Sequence, residues 1–140
     1  MPRNFKELKP AYGFDDVAIA PGDITINPEM ADLTTNFDGI KLEIPFIASA
    51  MDAVVDPKFA IAMTKAGGLG VMNMDGLHTR YEDTTAVYEE IAASPREEAT
   101  AIMQRIYAAP QKPELIAKKV EEVKKGGGTA AVSFVPQNAK

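Results

Sequence analysis

Ser49, Met51 and Asp52 place a hydroxyl, a thioether and a carboxylate within one short segment. The segment closes an apolar run that begins at Ile44, and it precedes a helix-start signal at Asp56 and Pro57. Two more polar clusters follow apolar runs in the same way: Asn73 and Asp75 after Leu69–Met72, and Gln137 and Asn138 after Thr129–Val135. If these runs are parallel strands, all three clusters lie on one rim. That rim is the carboxyl end of the sheet, where parallel α/β folds bind ligands. The competing reading makes Asp52 and Asp75 simple loop caps.

Other candidates carry less. Gly67, Gly68 and Gly70 resemble a phosphate-cradling loop, but they lie between a helix and a strand. An anion loop needs strand first, with the helix N-terminus pointing at the phosphate. Gly126–Gly128 has the same order, so both read as helix C-caps with tight strand entry. His78 is the only histidine and there is no cysteine, so a zinc site would have to draw its other ligands from carboxylates; the plainer reading is a polar loop residue. Lys118, Lys119, Lys124 and Lys125 alternate with Glu121 and Glu122 as a solvated helix face. Met51, Met63, Met72 and Met74 read as core, with an adaptable pocket as the alternative. No Ser/His/Asp set and no glycosidase-type carboxylate pair can be assembled, and no metal site is expected.

The elements that must position the rim follow from pattern. Residues 1–43 are rich in turn formers (Pro10, Gly13, Pro21, Gly22, Pro28, Asp38, Gly39) and read as an extended arm, with short strands near Val17–Ala20 and Asp23–Ile26. Residues 44–140 read as α/β. Ile44–Ser49 and Leu69–Met72 are buried strands around a helix from Pro57, with Phe59, Met63 and Ala66 at helical spacing. Strand, helix and strand make a βαβ unit, so the strands should run parallel. Thr84 or Thr85 caps a helix bearing Val87, Tyr88 and Ile91, which stops at Ser94-Pro95. A second helix from Glu97 puts Ala99, Ile102, Met103 and Ile106 on one face. A third opens at Pro113 and buries Leu115, Ile116, Val120 and Val123 before Thr129–Val135 forms the third strand. Three parallel strands make a small sheet with uncovered edges. The pattern resembles the first three βα units of a (β/α)8 barrel, an incomplete one, rather than a small complete domain. Such edges predict self-association.

Composition narrows the function class. The chain has 140 residues, 46% hydrophobic and 25% charged, which fits a globular domain. A formal charge of −5 argues against general binding to nucleic acid or anionic membranes, both of which need basic patches. The charged N-terminus is no signal peptide and the longest apolar run is far short of a membrane span, so a cytoplasmic location is expected.

The ordered set Tyr12–Val17, Pro21-Gly22, Ile44–Asp52, Ala60–Met63 and Gly67–Val71 resembles the opening of the IMP dehydrogenase/GMP reductase family. Thr79–Asp83, Pro113–Ile116 and Ala130–Ser133 are similar to its IMP-dehydrogenase-related branch that lacks CBS domains. The resemblance implies a TIM-barrel oxidoreductase acting on a purine nucleotide, IMP or GMP, with NAD or NADP, and a homo-oligomer, a tetramer in the family. It implies that Ser49 approaches the nucleotide phosphate, that Met51 packs near the base, and that Asn73 falls on the cofactor side, where the family has His or Lys. In the family a cysteine thiolate attacks C2 of the purine, and the covalent thioimidate links that step to hydride transfer. This sequence has no cysteine. The chain is therefore expected to hold no catalytic residue and to be inactive alone, as an N-terminal fragment of such an enzyme. Two alternatives remain. One is a fragment of an FMN-dependent barrel of the nitronate monooxygenase type. The other is a non-catalytic α/β module that binds a nucleotide or pairs with another chain.

Overall fold

A computed structural model describes residues 9–138. Contacts divide the chain into two units, one ending at Asp32 and one beginning at Leu33.

In the first unit the chain is extended, interrupted by single 3-10 turns at Phe14–Asp16 and Pro28–Met30. The Asp16 carboxylate accepts the Gly13 amide at 2.9 Å and closes the first turn. The strands expected at Val17–Ala20 and Asp23–Ile26 are not formed. Neither segment has a ladder partner, and alternating apolar residues without one do not make a strand.

The second unit opens with an antiparallel hairpin, β1 (Thr35–Phe37) and β2 (Ile40–Leu42). Asp38 and Gly39 form its two-residue turn, with the Gly39 amide donating to Asn36 Oδ1 at 2.9 Å. This hairpin lies inside the stretch read as an arm, yet it groups with the α/β unit.

The α/β unit then runs β3 (Ile47–Ala48), α1 (Pro57–Lys65), β4 (Leu69–Asn73), α2 (Thr85–Ala93), α3 (Ala99–Tyr107), α4 (Pro113–Lys125) and β5 (Ala131–Ser133). The strands stand in the order β3-β4-β5, and both pairings are parallel. Parallel neighbours need a crossover, and α1 and α4 lie on the two connections. The strand at 44–49 is shorter than its apolar run. Pro45 has no N–H to give, and the amides of Glu43 and Ile44 both donate to Gly67 O, so the ladder starts only at Ile47.

Local chemistry sets the helix ends. Asp56 Oδ1 accepts the Phe59 amide at 2.7 Å, and Pro57 fills the first position of α1. At the other end Gly67 takes φ +89° while its amide and that of Gly68 return to the carbonyls of Thr64 and Met63. That double bond pattern needs a left-handed residue, which favours glycine. α4 ends in the same pattern, with the Gly127 and Gly128 amides on Lys124 and Val123. Thr84 occupies the N-cap position of α2 as expected, but its side chain makes no cap bond; the Asp83 carboxylate takes the Thr85 amide at 2.9 Å instead, and that bond holds the carboxyl below its ordinary range.

The core consists of Val55, Ala60, Met72, Met74 and Val123, with Ile61, Ile116 and Val120 packed against it. Pro57 and Ala60, not Phe59, are the buried residues of α1; Phe59 is 38% exposed and Ala66 also faces out. A small side chain at the contact lets α1 lie close on β4, and the bulkier phenyl ring is left outside. Met72 and Met74 are core, whereas Met51 is 52% exposed. Among the described residues no helix is long and apolar enough to cross a membrane.

Candidate functional site

The clusters that follow β3 and β4 are laced together by side chains at the carboxyl end of the sheet, and the loop after β5 joins them through the backbone amide of Val135. Asn73, the last residue of β4, donates from Nδ2 to Asp52 Oδ1 at 2.6 Å and accepts the Asp75 amide on Oδ1 at 3.0 Å. The Asp75 carboxylate accepts the Val135 amide at 2.6 Å and Gln111 Nε2 at 2.8 Å. A continuous polar chain thus runs from the loop after β3, across the end of β4, to the loop after β5.

Asp52 is its hub. Beyond Asn73, Tyr107 donates its hydroxyl to Asp52 Oδ2 at 2.5 Å, and Tyr88 donates to the Asp52 backbone carbonyl at 2.6 Å. His78 Nε2 lies 2.8 Å from the same carbonyl. A carbonyl only accepts, so Nε2 carries the hydrogen. Glycine at position 76 makes room for the carboxylate: a Cβ there would stand 1.8 Å from Asp52 Oδ1.

The reading of His78 as an ordinary polar loop residue is corrected. The residue is only 8% exposed, in the 3-10 turn Leu77–Thr79, with its ring edge-on to Tyr88 and centroids 6.2 Å apart. Burial, reinforced by the Asp52 charge, raises the Tyr88 phenol above its ordinary range. The Tyr107 phenol is raised further, first by burial and then by its hydrogen bond to Asp52. Both hydroxyls therefore stay protonated as donors across neutral pH.

The segment Thr79–Asp83 locks the helices to this rim. Thr79 Oγ1 donates to Gly76 O, and Tyr81 donates its hydroxyl to Ile106 O at 2.9 Å. Arg80 donates to the carbonyls of Ala109 and Asp75, with its guanidinium 5.9 Å from the Tyr107 ring centroid. Glu82 pairs with Lys118 at the surface.

Ser49 and Met51 are exposed on the loop after β3, with the Met51 amide on Ser49 O at 2.9 Å. Asn73 is half-buried, and after its bonds to Asp52 and the Asp75 amide its side chain keeps one N–H and one lone pair. A cleft of about 430 Å³ opens beside Asp52, between the N-termini of α1 and α2. Asp52, Asp56 and Glu89 line it, along with Phe59, His78 and Tyr88, and no Lys or Arg does. Such a lining repels a phosphate or pyrophosphate. The described residues of this chain do not by themselves hold a dinucleotide there.

Sequence reasoning found Asp52, Asn73 and Asp75 but not Tyr107 or Gln111, and it read Tyr88 only as a helix-face residue. The available signal was weak: Tyr88 and Tyr107 sit at helical positions where an aromatic ring alone satisfies the apolar pattern.

Fold and rim define an α/β protein of the parallel-strand class with its polar site at the carboxyl ends of the strands. A family model for the IMP dehydrogenase / GMP reductase domain matches residues 11–92, and the chain belongs to that family. An uncharacterized oxidoreductase of Mycolicibacterium smegmatis is 39% identical over 134 residues, covering 92% of this chain and 36% of that relative. An inosine-5'-monophosphate dehydrogenase of Methanocaldococcus jannaschii is 43% identical over 67 residues, 48% of this chain and 14% of its own length. The crystal structure of an IMP dehydrogenase/GMP reductase-like protein from Corynebacterium glutamicum superposes with a TM-score of 0.79 at 33% identity, over 89% of this chain and 34% of that one. The chain thus spans about a third of the length of the mycobacterial relatives it matches.

Proposed function

We propose that this chain forms the first βα units of a (β/α)8 barrel that oxidises or reduces a purine nucleotide, IMP or GMP, with NAD or NADP as hydride partner. The observation that carries the reading is the rim itself. Three parallel strands in sequence order deliver their polar ends to one place, with Ser49 and Met51 exposed on it. Family membership supplies the chemical class. Ser49 takes the nucleotide phosphate, as hydroxyl donor, and Met51 packs against the base. Asn73 serves the cofactor side through its remaining N–H and lone pair.

The carboxylate-lined cleft beside Asp52 supplies no cation for a pyrophosphate. No hydride step is assigned to residues of this chain, and without cysteine it cannot form the covalent thioimidate. It is therefore inactive alone and contributes binding groups to a larger catalytic unit. That unit is a cytoplasmic homo-oligomer, a tetramer as in the family. The uncovered edges of β3 and β5 would join the remaining strands.

The test is to extend the reading frame past the Lys140 codon. The product is then assayed for NAD-dependent IMP oxidation and NADPH-dependent GMP reduction. Turnover of either nucleotide, lost in Ser49→Ala with the larger effect on KM, is the expected result. A stop codon at that point, or a folded product that turns over neither nucleotide, overturns the proposal. Bound FMN in that product would favour the nitronate monooxygenase alternative.

A further inference from the structure

We propose that Asp52 is the positioning residue of the strand-end site, and that α2 and α3 set the conformation of the Ser49–Val54 loop through the hydroxyls of Tyr88 and Tyr107. The inference rests on the reading of that loop as the nucleotide-binding segment.

The loop's own backbone bonds are local. Met51 donates to Ser49 O, and Val54 and Val55 both donate to Met51 O at 3.1 and 3.0 Å. Those bonds shape a turn but do not fix where the turn stands. Val55, fully buried, pins its far end in the core. Between those points, side chains of Asn73, His78, Tyr88 and Tyr107 all converge on Asp52.

The arrangement is more than a loop cap. A capping aspartate accepts amides of its own turn, as Asp56 does with Phe59. Asp52 instead accepts from side chains 21 to 55 residues away. The two tyrosines come from different helices and take different ends of the residue, the carbonyl and the carboxylate. Movement of α2 or α3 therefore turns Asp52, and with it Met51 one residue away and Ser49 three away. α3 is in turn held by Tyr81 on Ile106 and by Glu90 of α2 on Arg105. The helical segment between β4 and α4 thus acts on the site from outside it.

The test measures amide hydrogen exchange on the full 140-residue chain without nucleotide, in the parent and in Tyr107→Phe, Tyr88→Phe and Tyr81→Phe. Tyr107→Phe and Tyr88→Phe should each speed exchange at Val54 and Val55 about tenfold, the equivalent of one hydrogen bond to an accepting hub, and leave the amides of α4 unchanged. Tyr81→Phe, which loosens α3 but leaves both tyrosine bonds to Asp52 in place, should speed Val54 and Val55 by less than either loop-directed variant.

A second readout is spectroscopic. Asp52→Asn removes the charge with little change of shape, so the Tyr107 phenol should ionise at lower pH than in the parent. Parent-like exchange at Val54 and Val55 in both loop-directed variants overturns the proposal. So does a uniform rise across α4, and so does an unmoved phenol titration. If Asp52→Asn does not fold, the tyrosine variants decide alone. Because no nucleotide is present, this result and the fate of the purine reading are separable.

Discussion

The two ends of the same parallel strands are built by different means. At the end where the chain enters β4 and β5, closure is made mainly by backbone. Helices α1 and α4 stop on paired glycine amides that return to their own last carbonyls, and Thr64 Oγ1 accepts the Thr129 amide across the gap at 3.0 Å. At the end where the chain leaves the strands, closure is made by side chains. Asp52, Asn73 and Asp75 trade hydrogen bonds with Tyr107, Gln111 and Val135. Closure on glycine amides satisfies the helix ends with main-chain groups alone. Side-chain closure keeps carboxylates, an amide and hydroxyls at the surface of a site, with lone pairs and N–H groups still to give. The contrast explains why the glycine-rich segments, which look like phosphate loops in isolation, serve as helix stops at the end opposite the polar rim.

The sharpest way to break the contrast is Gly76→Ala. Its Cβ would meet Asp52 Oδ1 at 1.8 Å, and the carboxylate cannot retreat without losing Asn73 and Tyr107. A loss of about 3 kcal/mol is expected in urea unfolding, together with faster exchange at Val54 and Val55. Gly67→Ala strikes the entry end. Placing Cβ at φ +89° and 2.8 Å from Glu43 Cβ should cost about 2 kcal/mol, with the Ser49–Val54 loop unaffected. If Gly67→Ala loosened that loop as much as Gly76→Ala does, the two ends would not be independent.

Tyr107→Phe should cost about 1.5 kcal/mol, since it removes one hydrogen bond to a carboxylate and keeps the ring. The same phenol predicts alkaline behaviour. Its folded-state pKa lies above the ordinary 10.0, so the folded chain holds a proton that the unfolded chain releases. Stability should fall as pH rises past about 10, and less steeply in Tyr107→Phe, as thermal unfolding across that range will show. The smallest effect is expected at the surface: Lys118→Ala breaks the exposed pair with Glu82 and should leave the unfolding midpoint in place.

Much of the scaffold was readable before any coordinates. Asp56-Pro57 starts a helix because a carboxylate accepts a first-turn amide and proline has no amide to waste there. Gly67 ends it because the turn needs a left-handed residue, and Ser94-Pro95 stops α2 for the complementary reason. These are local rules, satisfied within a few residues, so they survive in a one-dimensional reading. The arm strands near 17–26 failed for lack of a partner, because a strand is defined by what lies beside it.

From Ile44 onward the sequence by itself determined the order of the elements, the parallel sense of the strands and the presence of a polar residue at each strand end, since periodicity and turn chemistry are short-ranged. Only the tertiary structure decided which of those polar residues matters most. Asp52 became the hub because Tyr88 and Tyr107, 36 and 55 residues further on, happen to bring their hydroxyls to it. His78 became a buried donor because α2 and the loop after β3 close over it. Hydrogen bonds between residues that far apart leave no trace in local pattern; they exist only once packing has fixed the distance.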